Sequence, residues 1–162
     1  MSSFHWLLVL LFSITPTVEG RYAIIYGIGI GLDPKHVFIV ASITIVLLAI
    51  ALGALIHYID SLIIGFKDSR YELFRAVYRF YDRYLLRIRR KARPYIEKYG
   101  LIGLIVFVAA PLPGTGVWTG ALVSYVFGID RRRTLLGLSL GGVLSNLIVF
   151  ILAFFFKVML WG

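Results

Sequence analysis

The chain has 162 residues, 60% of them hydrophobic and 15% charged, with a formal charge of +9 and no cysteine. These totals fit a single membrane domain, residues 1–162, and exclude disulfides and thiolate metal sites. Residues 67–98 hold eleven of the seventeen basic residues against four acidic ones. A polybasic segment between apolar ones points to an anionic membrane surface as its partner, and no nucleic-acid motif is present.

The first apolar run, Trp6 to Ile14, has no basic residue before it and no small-x-small site after it, so it is not read as a secretory leader. It is followed by Thr15-Pro16-Thr17-Val18-Glu19-Gly20 and a second run from Tyr22 to Gly31. Each run is too short for a crossing helix, which needs about 20 residues. The pair is therefore expected to form a re-entrant hairpin with Glu19 and Arg21 at its tip. Ionisable residues at membrane depth mark a substrate or proton path. The alternative is an exposed loop after one N-terminal helix.

Asp33-Pro34 reads as a helix start, an N-cap with proline at the first helical position. Val37 to Tyr58 is apolar and long enough to cross. No histidine has a second ligand nearby, so neither a metal nor a cofactor is expected. From Ser69 to Tyr99, Phe74, Val77, Tyr78, Tyr81, Leu85 and Ile88 recur at spacings of three and four, with Arg75, Arg79, Arg83, Arg87 and Arg90 on the polar side. This predicts a basic amphipathic helix in the headgroup plane, ended or bent at Arg93-Pro94.

Leu101 to Ile129 is apolar throughout, but its middle, Pro111-Leu112-Pro113-Gly114-Thr115-Gly116, cannot be ordinary helix. Basic clusters flank it on both sides, the second being Arg131, Arg132 and Arg133. Basic loops stay cytoplasmic, so a second hairpin is expected; one kinked crossing helix is the alternative. Thr134 to Met159 forms the last crossing. Gly137, Gly141 and Gly142 offer a flat face there, and Asn146 lies at mid-depth.

A shift of 97 positions places Pro16 on Pro113, Gly31 on Gly128, Asp33 on Asp130 and Lys35 on Arg132 without a gap. Such punctuation at constant spacing is the mark of an internal repeat. One crossing separates the hairpins, so they enter from opposite sides. The expected fold is an all-α integral membrane protein of two inverted repeats, 1–60 and 99–162. Each is a re-entrant helical hairpin followed by a transmembrane helix, and a cytoplasmic amphipathic linker, 61–98, joins them.

The run YGLIGLIVFVAAPLPGTGVWTGAL, followed by a glycine, an acidic residue and a basic cluster, resembles the putative small multidrug export family of prokaryotic membrane proteins. Pro16, Glu19 and Arg21 are similar to the same family's N-terminal pattern, although Ile25 stands where a second proline is usual. The resemblance implies a remote relationship to the DedA/VTT lipid translocases, and hence transport of a phosphate-headgroup lipid. The arginines that those relatives carry around the second proline are replaced here near Ala110 and Gly116.

Together these readings give a small secondary transporter in the cell membrane, proton-coupled and moving an amphiphile. Its candidate site combines Pro16, Glu19 and Arg21 with Pro111, Pro113, Gly114, Thr115, Gly116, Trp118, Thr119 and Asn146. Glu19 would carry a proton. Arg21 would hold a phosphate or tune Glu19. Gly114, Thr115 and Gly116 would offer backbone donors, and Trp118 would wall the pocket. Arg131, Arg132 and Arg133 are candidate lipid-headgroup ligands. Membrane lipids, protons and a second copy in a homodimer are the expected partners. A multidrug exporter and a non-transporting scaffold are the alternatives. An enzyme is not expected: Asp33 and Asp60 lie at opposite ends of one helix, too far apart to share a proton.

Overall fold

The computed structural model describes residues 2–16, 18–112 and 114–161, and among these all regular structure is helical. Six helical segments follow in order: α1 (Ser2–Ile14), α2 (Glu19–Gly29), α3 (Pro34–Ile64), α4 (Glu72–Ala109), α5 (Val117–Val126) and α6 (Arg131–Trp161). Pro113 and Thr17 lie outside the described residues.

Two helices are apolar over a length sufficient to cross a bilayer, Pro34–Ile56 within α3 and Arg131–Met159 within α6. They pack antiparallel. A Cβ on Gly53 would meet Leu135, and one on Gly142 would meet Ile45. Their outer faces carry exposed Ile43, Leu47 and Ile50 on α3 and Leu140, Ile151 and Phe155 on α6. Lipid tolerates such a surface and water does not.

α1 folds back on α2: His5 Nδ1 lies 2.9 Å from the Tyr26 hydroxyl, and Phe12 meets the Tyr26 ring edge-on. The second hairpin pairs the end of α4 with α5, where Gly120 faces Val108 too closely for a side chain. Gly137 and Gly141 receive Leu104 and Val108 of the same arm in the same way. These small residues let the helices touch backbone to side chain, as their sequence pattern indicates.

The connections α2–α3 and α5–α6 are the same structure written twice. Gly31 and Gly128 both adopt positive φ, 85° and 63°. Leu32 N–H donates to Gly27 O at 3.0 Å, and Ile129 N–H donates to Ser124 O at 2.9 Å. Asp33 caps the His36 amide at 3.0 Å, and Asp130 caps the Arg133 amide at 3.1 Å. Every one of these pairs is 97 residues apart. The motif is a glycine-terminated helix followed at once by a capped one, a device for reversing direction in few residues.

α4 departs from expectation. The helix runs through Pro94 and breaks at Gly100, where φ is 52° and ψ is −120°. Both Arg90 and Pro94 are exposed, so the carbonyl that proline leaves unpaired stays solvated. At Gly100 the chain doubles back, and the rings of Tyr95 and Phe107 come within 6.3 Å. The amphipathic arm, 72–99, also does not offer its whole apolar stripe to lipid. Tyr81, Ile88, Ala92 and Ile96 are buried against the protein, whereas Phe74 and Val77 remain exposed.

The fold-back makes Gly103 critical, since a Cβ there would stand 2.0 Å from the Tyr95 carbonyl oxygen. Gly103→Ala is expected to destabilise by about 1–3 kcal/mol. Gly29→Ala, which meets nothing within 4 Å, is expected to be neutral or slightly stabilising. Thermal unfolding in detergent separates the two.

Candidate functional site

The residues that follow the first turn, Glu19 and Arg21, meet the end of the second turn, Thr115 and Gly116, in the protein interior, and the side chains of the first close the backbone of the second. α5 begins at Val117, and its first amides have no partner in their own helix. Glu19 supplies it: its carboxylate accepts from Val117 N–H at 3.2 Å and Trp118 N–H at 3.1 Å. A carboxylate at a helix N-terminus is also favoured by the helix dipole. Here the cap comes from 98 residues away in sequence.

Arg21 does the converse job at the end of α4. Its Nη1 donates to Ala110 O at 3.2 Å and Leu112 O at 3.4 Å, and its Nη2 donates to Thr115 O at 2.8 Å. These carbonyls lie at the negative end of the α4 arm and in the turn beyond it, where a guanidinium is favoured. Nη2 also meets Glu19 Oε2 at 3.2 Å. Both side chains are buried, 3% exposed for Glu19 and 6% for Arg21. The two charges therefore neutralise each other and satisfy five backbone groups of the interrupted segments.

Glu19 is held in a left-handed conformation, φ 54°, alone among the described non-glycine residues. Such a backbone costs on the order of 1–2 kcal/mol for an L residue. It persists because the bonds to α5 and Arg21 fix the side chain. Strain of this kind concentrates at functional sites.

Gly116 makes the approach possible. It has φ 112°, and a Cβ on it would fall 2.2 Å from Arg21 Nη2 and 2.3 Å from Glu19 Oε2. Thr115 is buried and donates its hydroxyl to Ala110 O and Leu112 O, both at 2.6 Å. The Trp118 indole N–H donates to Ile14 O at 3.1 Å, closing the end of α1. Thr119 is buried with its hydroxyl 3.3 Å from that of Tyr84. Gly114 faces Lys91 Nζ. Asn146 is buried against Gly20, with its Nδ2 unpartnered, and the Arg21 Nε is likewise unpartnered.

The remaining expected residues lie apart. Pro16 is exposed at the first turn. Arg131, Arg132 and Arg133 are exposed at the start of α6, and Arg133 pairs with Asp130 at 3.3 Å. Of the backbone donors expected to receive a substrate, the Thr115 amide donates to Leu112 O at 3.2 Å; the amides that follow Gly116, of Val117 and Trp118, bond Glu19.

Pro111 links this junction to a cavity of about 830 Å³ between α2 and the C-terminal half of α6. Its lining is apolar, with Ile28, Val149, Leu152, Ala153 and Phe156 among its walls and Lys157 as its one charged residue.

A family described as putative small multi-drug export protein matches residues 19–148. The chain belongs to that family. Membership of an export family fits a membrane protein, and two of its helices are long and apolar enough to cross. The matched region begins at Glu19 itself and includes Arg21 and the whole turn of the second hairpin. No curated protein and no solved structure matches the chain.

Asp60, set at the far end of α3 from Asp33, has surroundings that the sequence did not disclose. It is 2% exposed and accepts from the Tyr81 hydroxyl at 2.8 Å and the Tyr125 hydroxyl at 2.6 Å. Burial first, and then the bond to Asp60, push the Tyr81 phenol well above its ordinary value, so it stays a donor. The tyrosine stripe of the amphipathic arm was visible in the sequence; its target was not. Lys157, near the end of α6, lines the cavity and was not among the expected site residues.

If Gly116 exists to admit the Glu19–Arg21 pair, its loss and the loss of Arg21 remove one interaction. Arg21→Ala is expected to cost about 3–5 kcal/mol, as for any broken buried pair. Gly116→Ala is expected to cost about 1–3 kcal/mol. The double variant should fall well short of the sum in a thermal-unfolding cycle, whereas additivity would show the two to be independent.

Proposed function

We propose that the protein is a small secondary transporter that carries an amphiphile with a phosphate headgroup through the cell membrane, in exchange with or alongside protons. The observation that supports this most is the junction of two interrupted apolar hairpins around a buried Glu19–Arg21 pair, next to an apolar cavity. In this reading each hairpin is re-entrant. The hairpins and the helices that follow them, α3 and α6, form an inverted repeat, in keeping with the antiparallel packing of α3 on α6 and the duplicated connections. The basic arm and the start of α6 face the cytoplasm by the positive-inside rule.

The cavity indicates the class of cargo. Its walls suit an acyl chain or another apolar body, and Lys157 favours an acidic head over a cationic one. Arg21 cannot hold a phosphate while its Nη donors stay on three carbonyls and Glu19. Protonation of Glu19 offers a way to release them. A neutral carboxyl would lose its charge-assisted bonds to Val117 and Trp118 and its attraction to Arg21. The two turns could then separate, so a proton would couple to movement of one hairpin against the other.

The family's description also admits export of unrelated apolar compounds. Flux in liposomes separates the cargo classes. A fluorescent short-chain acidic phospholipid should move faster with the protein than without it, and faster than an apolar cationic dye. Ala153→Trp should lower that flux several-fold by filling the cavity. Lys157→Gln should lower it for the acidic lipid and not for a neutral one, and Glu19→Gln, verified as folded, should remove its pH dependence. Preference for the cationic dye, with Lys157→Gln without effect, would replace the lipid reading with drug export. No flux of any probe would end the transporter reading.

A further inference from the structure

The offset of 97 that relates the two connections also relates two cavities. A second one, of about 280 Å³, lies between α3 and α5 and is lined by Gly53, Ala54, Ile56, Tyr58, Ser124 and Tyr125, with Ile129, Arg131 and Thr134 at its edge. Ile28 and Ala153 of the large cavity, each moved by 97 positions, become Tyr125 and Ile56 of the small one. The large cavity sits between the C-terminal halves of α2 and α6, and the small one between those of α5 and α3. The two linings thus share two positions at this offset, and the cavities lie toward opposite ends of α6.

At the two shared positions the small cavity has the bulkier residues, Tyr125 for Ile28 and Ile56 for Ala153. The large cavity is about three times the volume of the small one. The charged positions differ in the same sense. Lys157 lines the large cavity, and its counterpart 97 residues earlier is Asp60. Asp60 is buried and has both oxygens engaged, one by Tyr81 of the α4 arm and the other by Tyr125 of α5. These two bonds tie three elements together across the end of the small cavity, and Tyr125 is part of its wall. Thr119, one and a half turns deeper on α5, meets Tyr84 of the same arm.

We propose that the small cavity is the second half-site of the transport path, taking the same amphiphile, and that Asp60 with Tyr81 and Tyr125 forms the latch that keeps it shut while the first is open. This rests on the transporter reading given above and adds the gate to it. Release of the tyrosines frees α5 to move away from α3, enlarging the small cavity. While Glu19 is charged the junction carries both hairpins together, so the same movement closes the large one. Arg131 on the edge of the small cavity then plays the part that Lys157 plays at the other, a cation for an acidic head.

The chain has no cysteine, so single thiols report each cavity separately. Ala54→Cys lies in the small cavity and Ala153→Cys in the large one. With a water-soluble thiol reagent on the protein in nanodiscs, Ala153→Cys should react faster than Ala54→Cys. Adding Tyr81→Phe removes one bond to a buried carboxylate and keeps the ring, a change worth about tenfold in an equilibrium. Ala54→Cys should then react about tenfold faster and Ala153→Cys more slowly. Tyr125→Phe should act in the same direction. Reaction rates that rise together at both positions, or that do not change at Ala54→Cys in either variant, would overturn the latch. The labelling requires no substrate, so it succeeds or fails independently of the liposome flux that tests the cargo.

Discussion

Glu19 and Arg21 hold together what the backbone leaves open. The second hairpin turns inside the protein, and its turn exposes amides and carbonyls that no helix can satisfy. An unpaired backbone group away from water is expensive, more so in lipid. Glu19 takes the amides that start α5, and Arg21 takes carbonyls at the end of α4 and in the turn beyond. Either charge alone would be an uncompensated buried ion; together they neutralise each other and complement two helix ends of opposite polarity. The other features of the junction follow from this. Gly116 has no side chain because the pair occupies that space, and Glu19 accepts an unfavourable φ because its carboxylate is held at the far end.

The same lock has a functional side. An interaction made by charge and strain is strong while complete and weak once one member is neutralised. It suits a connection that must hold two halves of a carrier in one arrangement and then let them exchange. Its position supports that use: an apolar cavity reaches it from one end, and a smaller cavity lies toward the other. The amphipathic arm adds an asymmetry. By placing Tyr81 on Asp60 it ties the basic surface of the molecule to the smaller cavity.

Much of the fold was legible in the sequence because its signals are local. The short apolar runs, the Pro-Leu-Pro-Gly-Thr-Gly interruption, the Asp-Pro helix start and the spacing of 97 each express a backbone rule within a few residues. Gly137, Gly141 and Gly142 were read as a contact face, and they are one. The site was legible only as a set of residues. That Glu19 caps α5 depends on a contact between distant segments and on a left-handed φ that no propensity anticipates. The helix break was expected at Pro94 and occurs at Gly100, because the carbonyl freed by Pro94 is solvated while Gly100 alone can turn the chain back on itself. Periodicity showed that Tyr81 and Ile88 lie on an apolar face, but not that protein covers it.

The account depends on neither hairpin crossing the membrane, and sidedness of single thiols tests this most directly. Ser3→Cys and Lys35→Cys flank the first hairpin, and Lys98→Cys and Arg132→Cys flank the second; all four replace exposed residues. With a membrane-impermeant reagent on sealed, oriented vesicles, Ser3→Cys and Lys35→Cys should label from one side and Lys98→Cys and Arg132→Cys from the other. Labelling of the two members of either pair from opposite sides would contradict the account.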